Sequence, residues 1–165
     1  ADHHPPVQRA GEGQDRGGIV RLRADQAGLR PFIGHALFAW VAPGSEAAGL
    51  IRSQTHYAAA ILTFVGALHW GMVVGGGEAF AVGAGVRLVW SVIPAIYAWV
   101  MTLYPPAVAL PGLFFGLLVA LAVDLLLYRA QPALRWFVQL RLVISLVAVA
   151  CVGASWAALS VRLAP

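Results

Sequence analysis

The chain has 165 residues, 60% of them hydrophobic and 11% charged, with eleven arginines, no lysine and seven acids for a formal net charge of +4. That composition cannot be laid out as a soluble domain with a polar surface. It also lacks the basic clusters with interleaved aromatics that mark a nucleic-acid face, so the arginine excess is read as a report on membrane topology and anionic lipid contact. No nucleic-acid partner is expected.

Residues 1–24 are polar and glycine-rich, carrying Asp2, Arg9, Glu12, Asp15, Arg16, Arg21 and Arg23. Without an apolar core they are expected to be disordered or draped on a partner. No cleavable signal peptide is expected, because no charged start leads into an apolar run. Five apolar segments follow within 25–165, at about 27–42, 54–74, 87–103, 107–128 and 142–159. They predict an all-α membrane protein, a bundle of five transmembrane helices behind an N-terminal tail.

The first segment opens at Gly28-Leu29-Arg30-Pro31 and ends at Pro43-Gly44-Ser45-Glu46. The second contains Tyr57 to Gly71, with no polar stripe at helical spacing, and stops at Gly75-Gly76-Gly77-Glu78. Pro94 sits in the middle of the third and should bend it. Tyr104-Pro105-Pro106 makes a tight turn into the fourth, and residues 129–141 read as a basic amphipathic linker into the fifth. At about 1.5 Å per residue the second and fourth segments span a hydrocarbon core of about 30 Å, whereas the other three are short for it.

Five crossings would place Arg9, Arg16, Arg21, Arg23, Arg30, Arg87, Arg129, Arg135 and Arg141 on one side and only Arg52 and Arg162 on the other. Nine against two predicts a cytoplasmic N-terminus and a periplasmic C-terminus in a bacterial inner membrane, or the mitochondrial inner membrane in a eukaryote. Trp40, Trp99 and Trp156 fall towards outer ends and Trp70, Trp90 and Trp136 towards inner ends, as an aromatic belt on each face.

The second segment, with Tyr57, Ala59, Ile61-Leu62, Phe64, Gly66 and His69-Trp70-Gly71, resembles the signature of a small multi-pass membrane family. This is the group of bacterial inner-membrane proteins and mitochondrial homologues named after human transmembrane protein sixty-nine. Gly28 with Pro31-Phe32, Ser91-Val92-Ile93-Pro94, Asp124, Arg135-Trp136 and Arg141-Leu142 look like that family too. The resemblance covers roughly residues 28–159. It implies a fold and a bioenergetic membrane setting, and no established activity.

Ionisable residues inside a bilayer are the first functional candidates. His35, His69, Arg87 and Asp124 fall at matching depth in the cytoplasmic half, and His69, Arg87 and Asp124, with Arg129 nearby, form an expected polar cluster that is either a structural knot or a working site. Burial of Asp124 demands a basic partner, for which His69, Arg87 or Arg129 are the candidates. His35 and His69 together suggest axial haem ligands, with quinone as another cofactor alternative; bis-histidine ligation requires the two rings to face each other. No metal site is expected, since His3-His4 lacks a third fixed ligand. Ser45, Ser53 and Ser91 have no triad partners, and the Gly75–Gly77 run lacks a phosphate-binding pattern, so no enzyme is expected. Cys151, the single cysteine, reads as a packing residue.

Small residues offer contact surfaces for neighbouring helices. Gly71 and Gly75, Gly112 and Gly116, and the series Ala150, Ala154, Ala158 are each spaced by four. The alanine series is the expected partner-facing stripe. Together these features predict a non-catalytic accessory or assembly subunit of a larger energy-transducing complex, respiratory or photosynthetic, surrounded by lipid and other transmembrane subunits. The alternative is a membrane protein that binds a quinone, tetrapyrrole or lipid.

Overall fold

The computed structural model describes residues 30–76, 83–128 and 134–164, and within them every regular element is an α-helix. Helix α1 covers 30–41, α2 Gly44–Gly75, α3 Ala84–Thr102, α4 Pro106–Tyr128 and α5 Arg135–Leu163. Four of them, α2 to α5, are long and apolar enough to cross a membrane. The twelve described residues of α1 cover about 18 Å, short of a hydrocarbon core of about 30 Å. The N-terminal tail and Arg129 lie outside the described residues.

Prolines and glycines set the helix boundaries. Pro43 separates α1 from α2, its missing N–H falling where a helix start has no intrahelical partner to lose. Pro105-Pro106 opens α4 in the same way. Gly83 precedes α3 with φ of 75°, a left-handed geometry that any other residue adopts at a cost. Pro94 and Pro111 both lie inside helices that continue through them. Two expected boundaries move outward. Helix α2 begins ten residues before 54, at Gly44, and its 32 residues run about 48 Å. Helix α5 begins at Arg135, so much of the expected linker is its first two turns.

The four long helices alternate in direction. One end of the bundle carries the α1–α2 turn, the α3–α4 turn and the C-terminus of α5; the other carries the α2–α3 and α4–α5 connections. Sequential pairs α2–α3 and α4–α5 pack most extensively, and α2 against α4 joins the two pairs. The α2–α5 seam is the sparser one.

Close approach comes from small residues, since apolar burial alone drives little association in lipid. A Cβ added at Gly66 would lie 2.6 Å from the Ser91 carbonyl oxygen and against Pro94, so α2 and α3 touch backbone to backbone there. Gly112 and Gly116 on α4 are filled from outside by Tyr97, Met101 and Leu62. Phe32, Ala36 and Ala39 of α1 join the same core as Leu62, Leu113, Leu117 and Val152. Arg162 near the end of α5 donates from Nη2 to the carbonyls of Ala39 and Ala42 at 2.9 Å each, satisfying free acceptors at the end of α1.

Candidate functional site: a buried ion pair beside an open groove

The inward stripe of each long helix runs into a polar residue at the same end of the bundle. On α2 the buried positions Ala58, Leu62, Val65 and Gly66 lead to His69. On α4 the stripe Leu113, Leu117, Ala120 and Leu121 leads to Asp124 and Tyr128. On α3 it begins with Arg87 ahead of Ser91, Pro94 and Ala98, and on α5 with Phe137 and Arg141 ahead of Ser145 and Ala148. These spacings of three and four keep each side chain on one helix face, so the fold brings the charges together as a by-product of packing.

Asp124 is the hub, with 3% of its surface exposed. Arg141 donates to its Oδ2 from Nε at 2.7 Å and from Nη2 at 2.5 Å, while His69 Nε2 lies 2.8 Å from Oδ1. A carboxylate so buried would cost several kcal/mol without such donors. The Tyr128 hydroxyl lies 2.8 Å from His69 Nδ1, and the two rings stack with centroids 5.4 Å apart. Because an ionised carboxylate only accepts, Nε2 carries the imidazole proton towards Asp124; this tautomer follows from the partners. Arg87 places its guanidinium 5.7 Å from the Tyr128 ring centroid, and Phe137 meets the same ring edge-on at 5.6 Å. One network therefore pins all four long helices at one end.

The structure brings His69, Arg87 and Asp124 to one place. Arg141 and Tyr128 belong to the same network and were not among the candidates. Both had a signal in the sequence: Tyr128 is four residues beyond Asp124, and Arg141 is four beyond Phe137 and four before Ser145. Reading residues 129–141 as a linker concealed it.

His35 lies elsewhere. Its Nδ1 is 2.6 Å from the Pro31 carbonyl and its Nε2 is 3.0 Å from Ser53 Oγ. Ser53 and His69 are sixteen residues apart on α2, a rise of about 24 Å. The haem assignment to His35 and His69 is thereby corrected: the rings do not face each other, and each already spends both nitrogens on protein groups. Among the described residues no group of three or more His, Cys, Asp or Glu could hold a metal ion.

The expected partner-facing alanine stripe also needs correction. Ala150 is exposed, Ala154 is half-buried against the core and Ala158 is buried. A spacing of four overshoots the helical turn by about 40°, so two such steps wind from the surface into the bundle. Gly112 and Gly116 are likewise internal, whereas Gly71 and Gly75 face open space.

Those two glycines line a groove of about 900 Å³ along the sparse α2–α5 seam. Its walls are apolar, from Ile61, Phe64, Leu68 and Met72 on α2 to Phe137, Leu140 and Ile144 on α5. Arg141 is its charged wall. The groove thus opens directly beside the buried pair. A smaller apolar hollow of about 240 Å³, between α3 and α4, is lined by Trp90, Pro94, Tyr97 and Phe115.

The chain is similar to Transmembrane protein 69 of Xenopus tropicalis, with 33% identity over 125 residues that make up 74% of this chain and 48% of the relative. It therefore spans about half the length of that curated protein. No solved structure matches it. Residues 25–157 match the family described as "Protein of unknown function (DUF3429)", which takes in the whole buried network and both walls of the groove, and the chain belongs to that family.

Proposed function

We propose that this multi-pass membrane protein works by binding rather than by catalysis, and that the α2–α5 groove receives an apolar or amphiphilic small molecule of the quinone or lipid class. The observation that carries this reading is the groove itself: about 900 Å³ of apolar lining with one guanidinium at its wall. Binding sites of this kind combine a largely apolar lining with a few placed polar groups. The network behind Arg141 fixes that guanidinium through two donors to Asp124, so the polar contact is pre-organised. Purification in mild detergent followed by extraction and mass spectrometry tests it. A molecule should co-purify with the wild type and be lost from a Gly71→Trp variant, whose new side chain fills the groove. Equal recovery from both proteins would refute the reading.

A second reading, an accessory or assembly subunit of a respiratory or photosynthetic complex, is supported by one feature. Gly71 and Gly75 meet nothing within 4 Å of an added Cβ, so a foreign helix could approach α2 closely there. Co-migration with a large complex on a native gel, lost on Gly71→Leu, distinguishes it. For placement we infer a bacterial inner membrane, or a mitochondrial one in a eukaryote, with a cytoplasmic N-terminus and the C-terminus on the opposite face. The arginine distribution supports this.

A further inference from the structure

We infer that the occupant of the α2–α5 groove is an anionic phospholipid, with its phosphodiester on Arg141 and an acyl chain along α2 towards Tyr57. This rests on the groove reading above and names its ligand class.

Arg141 supplies the first argument. Its side chain is 6% exposed and spends Nε and Nη2 on Asp124, while the two N–H groups of Nη1 are not used in that pair. The residue lines the groove, so a buried guanidinium held in one orientation offers charge-assisted donors to whatever lies there. A phosphate oxygen is among the acceptors that match planar guanidinium N–H donors well.

Charge at this end of the bundle supplies the second. Among the described residues, this end of the bundle carries Arg87, Arg135 and Arg141 against Asp124, and Arg135 is exposed. Three cations against one anion leave this end positive, and the exposed Arg135 enriches anionic headgroups at the membrane surface by about 1 kcal/mol. A neutral quinone draws nothing from this field.

Length supplies the third. From the His69 level, where Arg141 sits, to Tyr57 at the far end of the groove, α2 rises by about 18 Å. The wall over that distance is Leu68, Val65, Phe64 and Ile61, apolar throughout and suited to an extended chain. Gly71, Gly75 and Gly76 widen the groove at the headgroup end, where Trp136 also lines it.

Native mass spectrometry of protein delipidated in detergent and then offered equal phosphatidylglycerol and phosphatidylcholine tests the proposal. Wild-type protein should retain phosphatidylglycerol at least several-fold over phosphatidylcholine, Arg141→Gln should lose that preference, and Gly71→Trp should lose retention of both. If both lipids are held equally and Gly71→Trp abolishes both, the groove reading survives and the anionic-head assignment is overturned. If neither is held, or Gly71→Trp changes nothing, both are overturned. Should Arg141→Gln fail to fold, the wild-type preference and the Gly71→Trp comparison still decide.

Discussion

Asp124 on α4 and Arg141 on α5 face each other across the α4–α5 hairpin, Nε and Nη2 of one guanidinium donating to the same carboxylate oxygen. The pair ties together two helices whose connection is short, and through His69 it ties both to α2. Partners separated by 17 and 55 residues in sequence thus act as one clamp.

Removing one partner of this pair should cost more than removing any other polar contact in the protein. Asp124→Ala is expected to lower stability by about 3 kcal/mol, because it leaves a buried guanidinium without its carboxylate. Tyr128→Phe, which deletes a neutral hydrogen bond to His69, should cost about 1 kcal/mol. Thermal unfolding in detergent compares them. Equal losses would mean that the carboxylate is not the hub.

Gly66 and Gly71 make a matched test of helix packing on α2. Alanine normally improves a helix relative to glycine by about 1 kcal/mol. At Gly66 the added methyl meets the Ser91 carbonyl oxygen and the Pro94 ring, so Gly66→Ala should destabilise by about 1–3 kcal/mol. At Gly71 it meets nothing, and Gly71→Ala should stay within about 0.5 kcal/mol of wild type or gain slightly. A clear loss at Gly66 with little or no loss at Gly71 is the expected melting result; equal losses at both would count against the α2–α3 contact.

Gln54 is fully buried, and neither atom of its amide finds a hydrogen-bond partner. Gln54→Met keeps the volume and removes two desolvated polar atoms, so thermal stability should rise by about 1 kcal/mol. A clear fall in melting temperature would show that the amide is satisfied in the membrane-embedded protein.

Cys151 is buried among core residues of α5. A maleimide should leave it unmodified in the folded protein and react fully after denaturation. Cysteines placed at position 10 and position 164 in a Cys151→Ala background then report topology. Labelling of position 164 alone by an impermeant reagent outside the cell is expected; labelling of both would put the termini on one side and reduce the crossings to four.

The sequence by itself determined that the chain is an all-α, multi-pass membrane protein and where its apolar helices fall, although only four of the five expected spans are long enough to cross. Apolar length and proline position are local properties, readable without neighbours. It also put His69, Arg87 and Asp124 at one depth, because rise along a helix is fixed per residue, but it put His35 there as well, whereas His35 sits beside Ser53 about 24 Å away along α2. Which side chain meets Asp124 was decided by the rotation and pairing of helices, and helices that are apolar all round carry no polar stripe to reveal that rotation. Arg141 became the partner because α5 starts seven residues earlier than hydropathy alone marks it, carrying the guanidinium onto the buried face. The same rotation turned Ala158 inward and left Gly71 open, although both sit in equally plausible small-residue series. The groove belongs wholly to tertiary structure: it exists because α2 and α5 touch less than their neighbours do, a property of the packing that no segment of either helix encodes alone.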